Sequence, residues 1–327
     1  MSPKNFTAVT LTGAAVVGLG ALSSPPSGTW PSVPAPFTVP ATERGSLVKA
    51  EHLRGLSVEE VRTVLGQGGF DATTVKHGVE AYRLTYRTVD TKGAAATATG
   101  LFVVPQGKRG RLTPVSYTHG TISYKPDAPS VSITPWAVGP AYTYAGSGFA
   151  AVLPDYLGLG EGPGAHPWKD VPSETSASLD MLRAARAFAP RTGHSLDRDV
   201  LITGFSQGAS SALGLARTLQ DGTDPHFRVK AVAPISGAYD LAGAELRTDG
   251  EVCKAWTPRM TVRFYKAEAD EQATTLNTDH CVASLRERGV DPQVENLGKP
   301  LYQGSLHLGT NVAGTGKIVH WFSSMAA

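Results

Sequence analysis

Short apolar segments alternate along the chain with longer segments whose apolar residues recur at helical spacing. The first two, Ala81–Asp90 and Ala95–Val104, are joined by the turn Asp90–Gly93 and predict an antiparallel hairpin. Further strands are predicted at Leu112–Tyr117, Phe149–Leu153, Val200–Thr203, Val229–Ile235, Thr261–Tyr265 and Pro292–Leu297. Helices are predicted at Val58–Leu65, Ser173–Phe188, Ala209–Leu219, Thr274–Arg288 and Val312–Met325. This alternation indicates an α/β chain with a mostly parallel sheet, opened by the hairpin and covered by helices on both faces.

The N-terminus matches the pattern of an export signal. Lys4 precedes the small and apolar segment Phe6–Leu22, and Ala21–Ser23 supplies the small residues that a signal peptidase recognises. Threonines and glycines interrupt the apolar segment, so no stable membrane anchor is expected. We therefore predict a signal peptide at residues 1–23 and a secreted protein. The alternative is a cytosolic protein with a disordered N-terminus.

The composition limits the domain organisation and the class of binding partner. Residues 24–50 form a Pro- and Ser-rich linker and N-terminal extension, and residues 51–327 are predicted to form one domain. Apolar residues make up 41% of the chain and charged residues 18%, enough for one large core. The net charge is only +2 and no dense Lys/Arg block occurs, which argues against a nucleic acid partner.

The chain has two cysteines, Cys253 and Cys281. In an exported protein an even pair favours a disulfide, and the absence of a C-x-x-C arrangement disfavours a redox or zinc role. Two separate buried thiols are the alternative, since a sequence does not show the distance between them. No motif with metal-ligand spacing and no phosphate-binding pattern occurs, so neither a metal nor another cofactor is expected.

The strongest chemical signal is a Gly-x-Ser-x-Gly turn centred on Ser206. It follows the strand Val200–Thr203 and precedes the helical pattern Ala209–Leu219. A sharp turn between a strand and a helix exposes a nucleophilic serine at the top of a parallel sheet. Gly204 and Gly208 fit the places where a side chain would collide with the neighbouring strand and helix.

A serine nucleophile needs a base, and the base needs a carboxylate that orients it. On a sheet of this kind the order along the chain is serine, acid, histidine. Asp270, just beyond the strand Thr261–Tyr265, is the preferred acid. Glu268 and Glu271 are neighbours whose charges would otherwise be solvated in the loop, and Asp240, after the preceding strand, is the main alternative.

Three histidines follow Asp270 in the chain. His307 lies directly after the last predicted strand, in a segment interpreted as a loop, and is the preferred base. His280 falls within a predicted helix beside Cys281, and His320 lies in the terminal helix, where its neighbours suggest packing.

The developing alkoxide of an acyl transfer needs two backbone N–H donors. The residue after the nucleophile, Gln207, supplies one, and Thr121, in the loop after the third strand, is predicted to supply the other. The Thr121 hydroxyl is a further candidate donor. Gly120 permits close approach of the backbone to a substrate, and His119 is interpreted as a structural residue of this loop.

Together these motifs resemble the bacterial α/β-hydrolase lipases and esterases related to the secretory lipase family. The segments that carry the resemblance are Thr118–Thr121, Pro154–Gly160, Leu179–Ala185, Gly204–Gly208 and Ala269–Gln272. The resemblance implies an α/β-hydrolase fold and hydrolysis of carboxylic esters through an acyl-enzyme. It also supports Ser206, Asp270 and His307 at the matching positions.

Two features depart from that family. Only Ala238–Met260 fills the place where relatives carry a helical cap, so a reduced cap and an open, shallow site are expected. The segment Gly298–Leu306 is longer than the compact turn that precedes the histidine in relatives. The first departure weakens the case for a lipase that is activated at interfaces.

The predicted function is that of a secreted serine esterase or lipase acting on small-molecule, lipid or polymer esters. The alternatives within the fold are a serine peptidase, an acyltransferase and a polyester-degrading hydrolase. An alternative of another class is a catalytically inactive binding protein. A panel of ester and peptide substrates separates the enzymes, and a serine-reactive probe separates them all from the inactive protein.

Overall fold

The computed structural model describes residues 43–239, 251–254 and 256–326. The predicted signal peptide, the linker up to residue 42 and the alternative acid Asp240 lie outside the described residues. The strands are β1 (Leu47–Leu56), β2 (Val79–Val89), β3 (Ala95–Pro105), β4 (Gly110–Leu112), β5 (Pro114–Thr118), β6 (Ala150–Pro154), β7 (His194–Leu196), β8 (Asp199–Phe205), β9 (Arg228–Ile235), β10 (Thr261–Lys266) and β11 (Gln293–Asn296). The helices are α1 (Val58–Gln67), α2 (Pro135–Gly146), α3 (Val171–Phe188), α4 (Gln207–Gln220), α5 (Glu251–Lys254), α6 (Thr275–Arg286) and α7 (Leu306–Ala326).

Within the described residues, nine strands form one sheet in the order β1-β2-β3-β6-β5-β8-β9-β10-β11. The pairs β1–β2, β2–β3 and β3–β6 are antiparallel, and every later pair is parallel. The mostly parallel sheet and the opening hairpin are therefore confirmed. The chain runs from β5 to β6 on one side of β5 and then crosses to β8 on the other side. This reversal makes a topological switch point, where the carboxyl ends of the strands leave a crevice for a ligand.

Two apolar clusters cover the two faces of the sheet. One packs α3, α4 and α6 against it through residues such as Leu179, Leu213 and Val282. The other packs α1, α2 and α7 through residues such as Tyr142 and Ile318. Helices on both faces explain why the central strands are buried along their length, including all five residues of both β5 and β6.

The helix α1 begins where the sequence predicts. The Ser57 side chain accepts from the Glu60 N–H, and the Glu60 carboxylate accepts from the Ser57 N–H, which is a complete capping box. Among the elements that were not predicted are β1 and α2. The edge strand β1 lacks a clean alternation of buried and exposed positions. The helix α2 is buried on nearly every side and contains Pro140, so it shows no amphipathic period.

A disulfide joins Cys253 of α5 to Cys281 of α6, with a Cα–Cα distance of 5.1 Å. The sequence had left this pairing open against two separate thiols. Among the described helices, none is long and apolar enough to span a bilayer.

Candidate active site

The turn between β8 and α4 places Ser206 at the carboxyl edge of the sheet. The Ser206 backbone adopts φ 55° and ψ −120°, a conformation that few residues other than glycine accept. Its N–H donates to the carbonyl of Ile235 on the neighbouring β9 at 2.9 Å, which holds the turn against the sheet. This is the geometry of a nucleophile elbow.

Close packing against β5 explains both glycines of the elbow. A Cβ on Gly204 would lie 2.1 Å from the Thr118 hydroxyl oxygen, and a Cβ on Gly208 would lie 2.1 Å from the Thr118 carbonyl oxygen. The second contact is with rigid main chain and leaves no room for any side chain. The elbow therefore packs against β5 with no space for a side chain at either glycine, as the sequence pattern predicts.

Ser206, Asp270 and His307, which the sequence predicts as the catalytic residues and which belong to separate elements, form one hydrogen-bonded group in the structure. The imidazole Nε2 of His307 lies 2.9 Å from the Ser206 Oγ. The Nδ1 of the same ring lies 2.9 Å and 3.0 Å from the two carboxylate oxygens of Asp270. Asp270 and His307 are 5% and 2% exposed, so bulk water competes little for these hydrogen bonds.

Asp270 is held in its ionised form. Burial alone would raise the pKa of its carboxyl group, but the hydrogen bond and charge of His307 and the backbone N–H groups of Gln272 and Ala273 outweigh that effect and lower the pKa. The two N–H groups donate to Oδ1 at 2.9 Å and 2.8 Å. These two hydrogen bonds fix the orientation of the carboxylate, and both of its oxygens remain within hydrogen-bond distance of the His307 Nδ1.

His307 lies in the first turn of α7, and the prediction that it lies in a loop was wrong. The helix begins at Leu306, because the Ser305 hydroxyl accepts from the Leu308 N–H in the manner of an N-cap. The Glu271 carboxylate accepts from both the Ser305 hydroxyl and the His307 N–H. Glu271 therefore anchors the helix end that carries the histidine, and these hydrogen bonds, led by that of Ser305, lower its pKa.

Of the alternative residues, Glu271 binds the backbone of His307, and the others make other contacts or lie outside the described residues. His280 is exposed on α6, and His320 contacts Asp71 at 3.2 Å near the far end of α7. Glu268 is exposed, with its N–H bound to the carbonyl of Gly298. Asp240 lies outside the described residues, so the geometry says nothing about it.

Thr121 lies beside Gln207, as an oxyanion site built from their N–H groups requires. The Thr121 hydroxyl donates to the Gln207 side-chain oxygen at 2.9 Å, so its hydrogen is already engaged and the hydroxyl is not a free third donor. Gly120 packs against the nucleophile loop, where a Cβ would meet the Phe205 ring at 2.8 Å. The loop after β5 and the elbow are therefore in direct contact.

Glu174 of α3 is buried beneath Gln207. Its carboxylate accepts from the Gln207 side-chain Nε2 and from the Ser211 hydroxyl. Burial raises the pKa of Glu174 to about 7, although these two hydrogen bonds act in the opposite direction. The sequence did not single out this residue, because a lone glutamate at the start of a helix has an ordinary capping role.

His119 is a structural residue, as its sequence context suggests. Its ring nitrogens contact the carbonyls of Gly120 at 2.7 Å and Asp155 at 3.2 Å, and its ring packs on Tyr156. Burial lowers the pKa of His119 to about 4, so the ring is neutral. A neutral imidazole has one N–H, so His119 donates to one of these carbonyls and contacts the other, which holds the loop that carries Thr121.

An aromatic cleft of about 590 Å³ opens next to the elbow. We define it by Phe205, Trp136 and Tyr302: Trp136 stacks on Tyr302 at 5.1 Å and contacts Phe205 edge-on at 6.0 Å. Phe205 also packs against His307 at 4.7 Å. A second cavity, of about 120 Å³, adjoins Ser206 on the other side of Thr121, which lines both. No periodicity along the chain predicts this cleft, because its walls come from α2, the elbow and the segment before α7, which are far apart in the sequence.

The expectation of a reduced cap concerns Ala238–Met260, of which residues 240–250 and 255 lie outside the described residues. Only α5 is a regular element within the described part of that segment. Among the described residues, no group of three or more His, Cys, Asp or Glu side chains is arranged to hold a metal ion.

No protein-family model and no curated protein matches the sequence. Solved structures do match. A candidate hydrolase from Legionella pneumophila superposes with a TM-score of 0.74 at 19% identity, covering 85% of this chain and 97% of the other. The rice cell wall degrading esterase LipA from Xanthomonas oryzae superposes with a TM-score of 0.70 at 20% identity, covering 84% and 97%. Candida antarctica lipase A in its closed state gives 0.56 at 15% identity, covering 89% and 84%.

At these identities the likeness establishes the fold. The chain has the α/β-hydrolase fold, and its structural neighbours are a hydrolase, an esterase and a lipase. The resemblance expected from the sequence motifs is therefore confirmed at the level of architecture.

Proposed function

We propose that this protein is a serine carboxylic ester hydrolase in which Ser206 is the nucleophile, His307 the general base and Asp270 the residue that orients the base. The observation that carries the proposal is the hydrogen-bond chain from the Ser206 hydroxyl through both nitrogens of one imidazole to a buried carboxylate. A serine hydroxyl becomes an effective nucleophile when a base is held at this distance and its tautomer is fixed from behind.

In the acylation step His307 Nε2 removes the Ser206 proton while Oγ attacks the ester carbonyl carbon. The oxyanion that forms is stabilised by the N–H groups of Gln207 and Thr121. The ionised Asp270 stabilises the imidazolium. His307 then returns the proton to the leaving alcohol as the carbon–oxygen bond breaks, and the acyl group remains on Oγ.

Deacylation repeats the same proton transfers with water. His307 removes a proton from water, the hydroxide attacks the acyl carbon, and the proton returns to Ser206 Oγ as the acid leaves. One base thus serves both half-reactions.

The structural neighbours and the aromatic cleft favour esters over peptides. One neighbour is an esterase that degrades rice cell walls and another is a lipase, so both act on esters. In this chain the cleft begins at Phe205, next to the nucleophile, and continues to Trp136 and Tyr302. Aromatic faces bind apolar and ring-shaped groups well, so we assign the cleft to one side of the ester.

A Trp136→Ala variant tests that assignment. It should raise KM for p-nitrophenyl esters of longer acids and leave p-nitrophenyl acetate nearly unchanged, because acetate does not reach the cleft. An equal change for every chain length from acetate to palmitate would contradict the assignment. Peptide anilides and a polyester film in the same panel test the peptidase and polyesterase alternatives, and added alcohol acceptors test acyl transfer.

We also propose that the protein is exported, with residues 1–23 as a signal peptide. The disulfide between Cys253 and Cys281 supports an oxidising destination. Expression of the full chain should yield a shortened protein outside the cytoplasm, which N-terminal sequencing detects. Recovery of the uncut chain from the cytoplasm alone would contradict export.

The test of the proposed activity is hydrolysis of p-nitrophenyl butyrate by the wild type and by Ser206→Ala. Loss of the nucleophile should lower kcat by about 10⁴-fold or more. Ser195, exposed on β7, provides the control variant Ser195→Ala, which should keep full activity. Equal rates for Ser206→Ala and the wild type would refute the proposal.

A further inference from the structure

The two residues assigned to the oxyanion site are joined by their side chains. Thr121 belongs to the loop after β5, and Gln207 is the first residue of α4. The Thr121 hydroxyl donates to Gln207 Oε1 at 2.9 Å. A substrate oxyanion must meet both backbone N–H groups at once, so any drift of the loop relative to the helix separates the donors.

The other end of the Gln207 amide is held by Glu174. The Nε2 group of Gln207 donates to one carboxylate oxygen, and the Ser211 hydroxyl donates to the other. Glu174 is 1% exposed, and among the described residues no Lys or Arg pairs with it in a salt bridge. Both side chains that donate to the Glu174 carboxylate therefore belong to α4.

The chemistry of the three groups fixes the direction of this chain of hydrogen bonds. An ionised carboxylate only accepts, so the amide must present its nitrogen to Glu174. The amide oxygen then faces the opposite way, toward Thr121, and the hydroxyl must donate to it. If the carboxylate is lost, the amide is free to rotate and its oxygen is no longer directed at Thr121.

We infer that Glu174 is a positioning residue for the oxyanion site: through the Gln207 amide it holds the Thr121 loop at the spacing that a bound oxyanion requires. This inference rests on the proposed function. Glu174 touches neither the substrate nor the reacting atoms, so its effect belongs to the transition state, where the negative charge on oxygen is fully developed. Ground-state binding of the ester should change little.

Three variants test the inference with p-nitrophenyl butyrate at pH 8. Glu174→Leu removes both acceptors and should lower kcat by about 10- to 100-fold with KM within about twofold, less than the effect of deleting an oxyanion donor outright. Glu174→Gln should keep kcat within about threefold, because its oxygen accepts from Gln207 while its nitrogen donates to Ser211. Thr121→Val breaks the far end of the chain at an exposed position and should match Glu174→Leu.

Whether the effects of substituting Glu174 and Thr121 on kcat are coupled distinguishes positioning from a merely structural role. The double variant Glu174→Leu/Thr121→Val should lose no more activity than the more damaged single variant, because both changes break one connection. Thr121→Ser restores the hydroxyl and should recover most of kcat. Thr121→Val remains a valid test if Glu174→Leu fails to fold.

The outcomes distinguish this inference from the proposed function. Wild-type turnover that depends on Ser206, together with an unchanged kcat in Thr121→Val and in any folded Glu174→Leu, overturns the inference alone. Losses that multiply in the double variant also overturn it, because they show two independent effects. Absence of Ser206-dependent turnover in the wild type overturns the proposed function and this inference with it.

Discussion

Replacing Asp270 by asparagine should remove most of the activity while leaving the fold intact. The reason lies in the backbone around the carboxylate. Oδ1 accepts the N–H groups of Gln272 and Ala273 at 2.9 Å and 2.8 Å. In the variant the amide oxygen must stay there, because an amide nitrogen cannot accept. The amide nitrogen then takes the place of Oδ2, which is the nearer of the two oxygens to the His307 Nδ1 at 2.9 Å, and donates to that ring nitrogen.

This reversal puts the histidine in the wrong tautomer. Nδ1 must present its lone pair to the new amide, so the ring proton moves to Nε2, which lies 2.9 Å from the Ser206 Oγ. A nitrogen that already carries a proton cannot remove the serine proton. The expected loss is about 10³- to 10⁴-fold in kcat, or about 4–5 kcal/mol of transition-state stabilisation.

Steady-state hydrolysis of p-nitrophenyl butyrate at pH 8 measures the effect, and circular dichroism confirms the fold. Matched controls are Asp240→Asn and Glu268→Gln, at two of the three other acids that the sequence left open, and both should keep kcat within about threefold. A folded Asp270→Asn variant within tenfold of the wild type would refute the reasoning. A large loss of kcat in Asp240→Asn would instead assign to Asp240 the role of orienting His307.

Other perturbations test the surroundings of the site. Burial raises the pKa of Glu174 from 4.5 to about 7, so the folded chain binds a proton that the unfolded chain has released; stability should fall by about 3 kcal/mol as pH rises through that window. Urea titrations of the wild type and Glu174→Gln should show this slope only in the wild type, and identical slopes would contradict it. The Cys253→Ser/Cys281→Ser variant, which opens a sequence separation of 28 residues, should lose about 3–4 kcal/mol, and an unchanged urea midpoint would contradict this. Gly208→Ala forces a Cβ to 2.1 Å from a carbonyl oxygen of β5 and should lower the free energy of unfolding by about 3 kcal/mol or more. The control Gly66→Ala has open space around it in α1 and should be neutral or slightly stabilising. Equal thermal midpoints for the two variants would refute the steric argument.

The elements whose signals are local were predictable from the sequence. The elbow needs a strand, two glycines and a helix within a few residues, so Ser206 could be assigned directly. The order of serine, acid and histidine on parallel strands then limited the partners to a few residues. Asp270 and His307 follow from that order, and the structure places His307 beside Ser206 and Asp270 beside His307.

The parts that depend on distant contacts were not predictable. The start of α7 depends on Ser305 and on Glu271, which lies on another loop, so the segment before His307 resembled a loop in the sequence. The role of Glu174 arises only when α3 packs beneath α4. The aromatic cleft combines α2, the elbow and the segment before α7, and no periodicity along the chain marks such an assembly.

Covalent labelling by a fluorophosphonate probe, followed by peptide mass spectrometry, tests whether Ser206 is an activated nucleophile. The probe reacts with a serine only when a base activates the hydroxyl and an oxyanion site receives the phosphoryl oxygen. We expect one adduct, on the peptide that contains Ser206, and its loss in His307→Ala. No adduct on folded wild-type protein, or an adduct on another serine, would contradict this expectation.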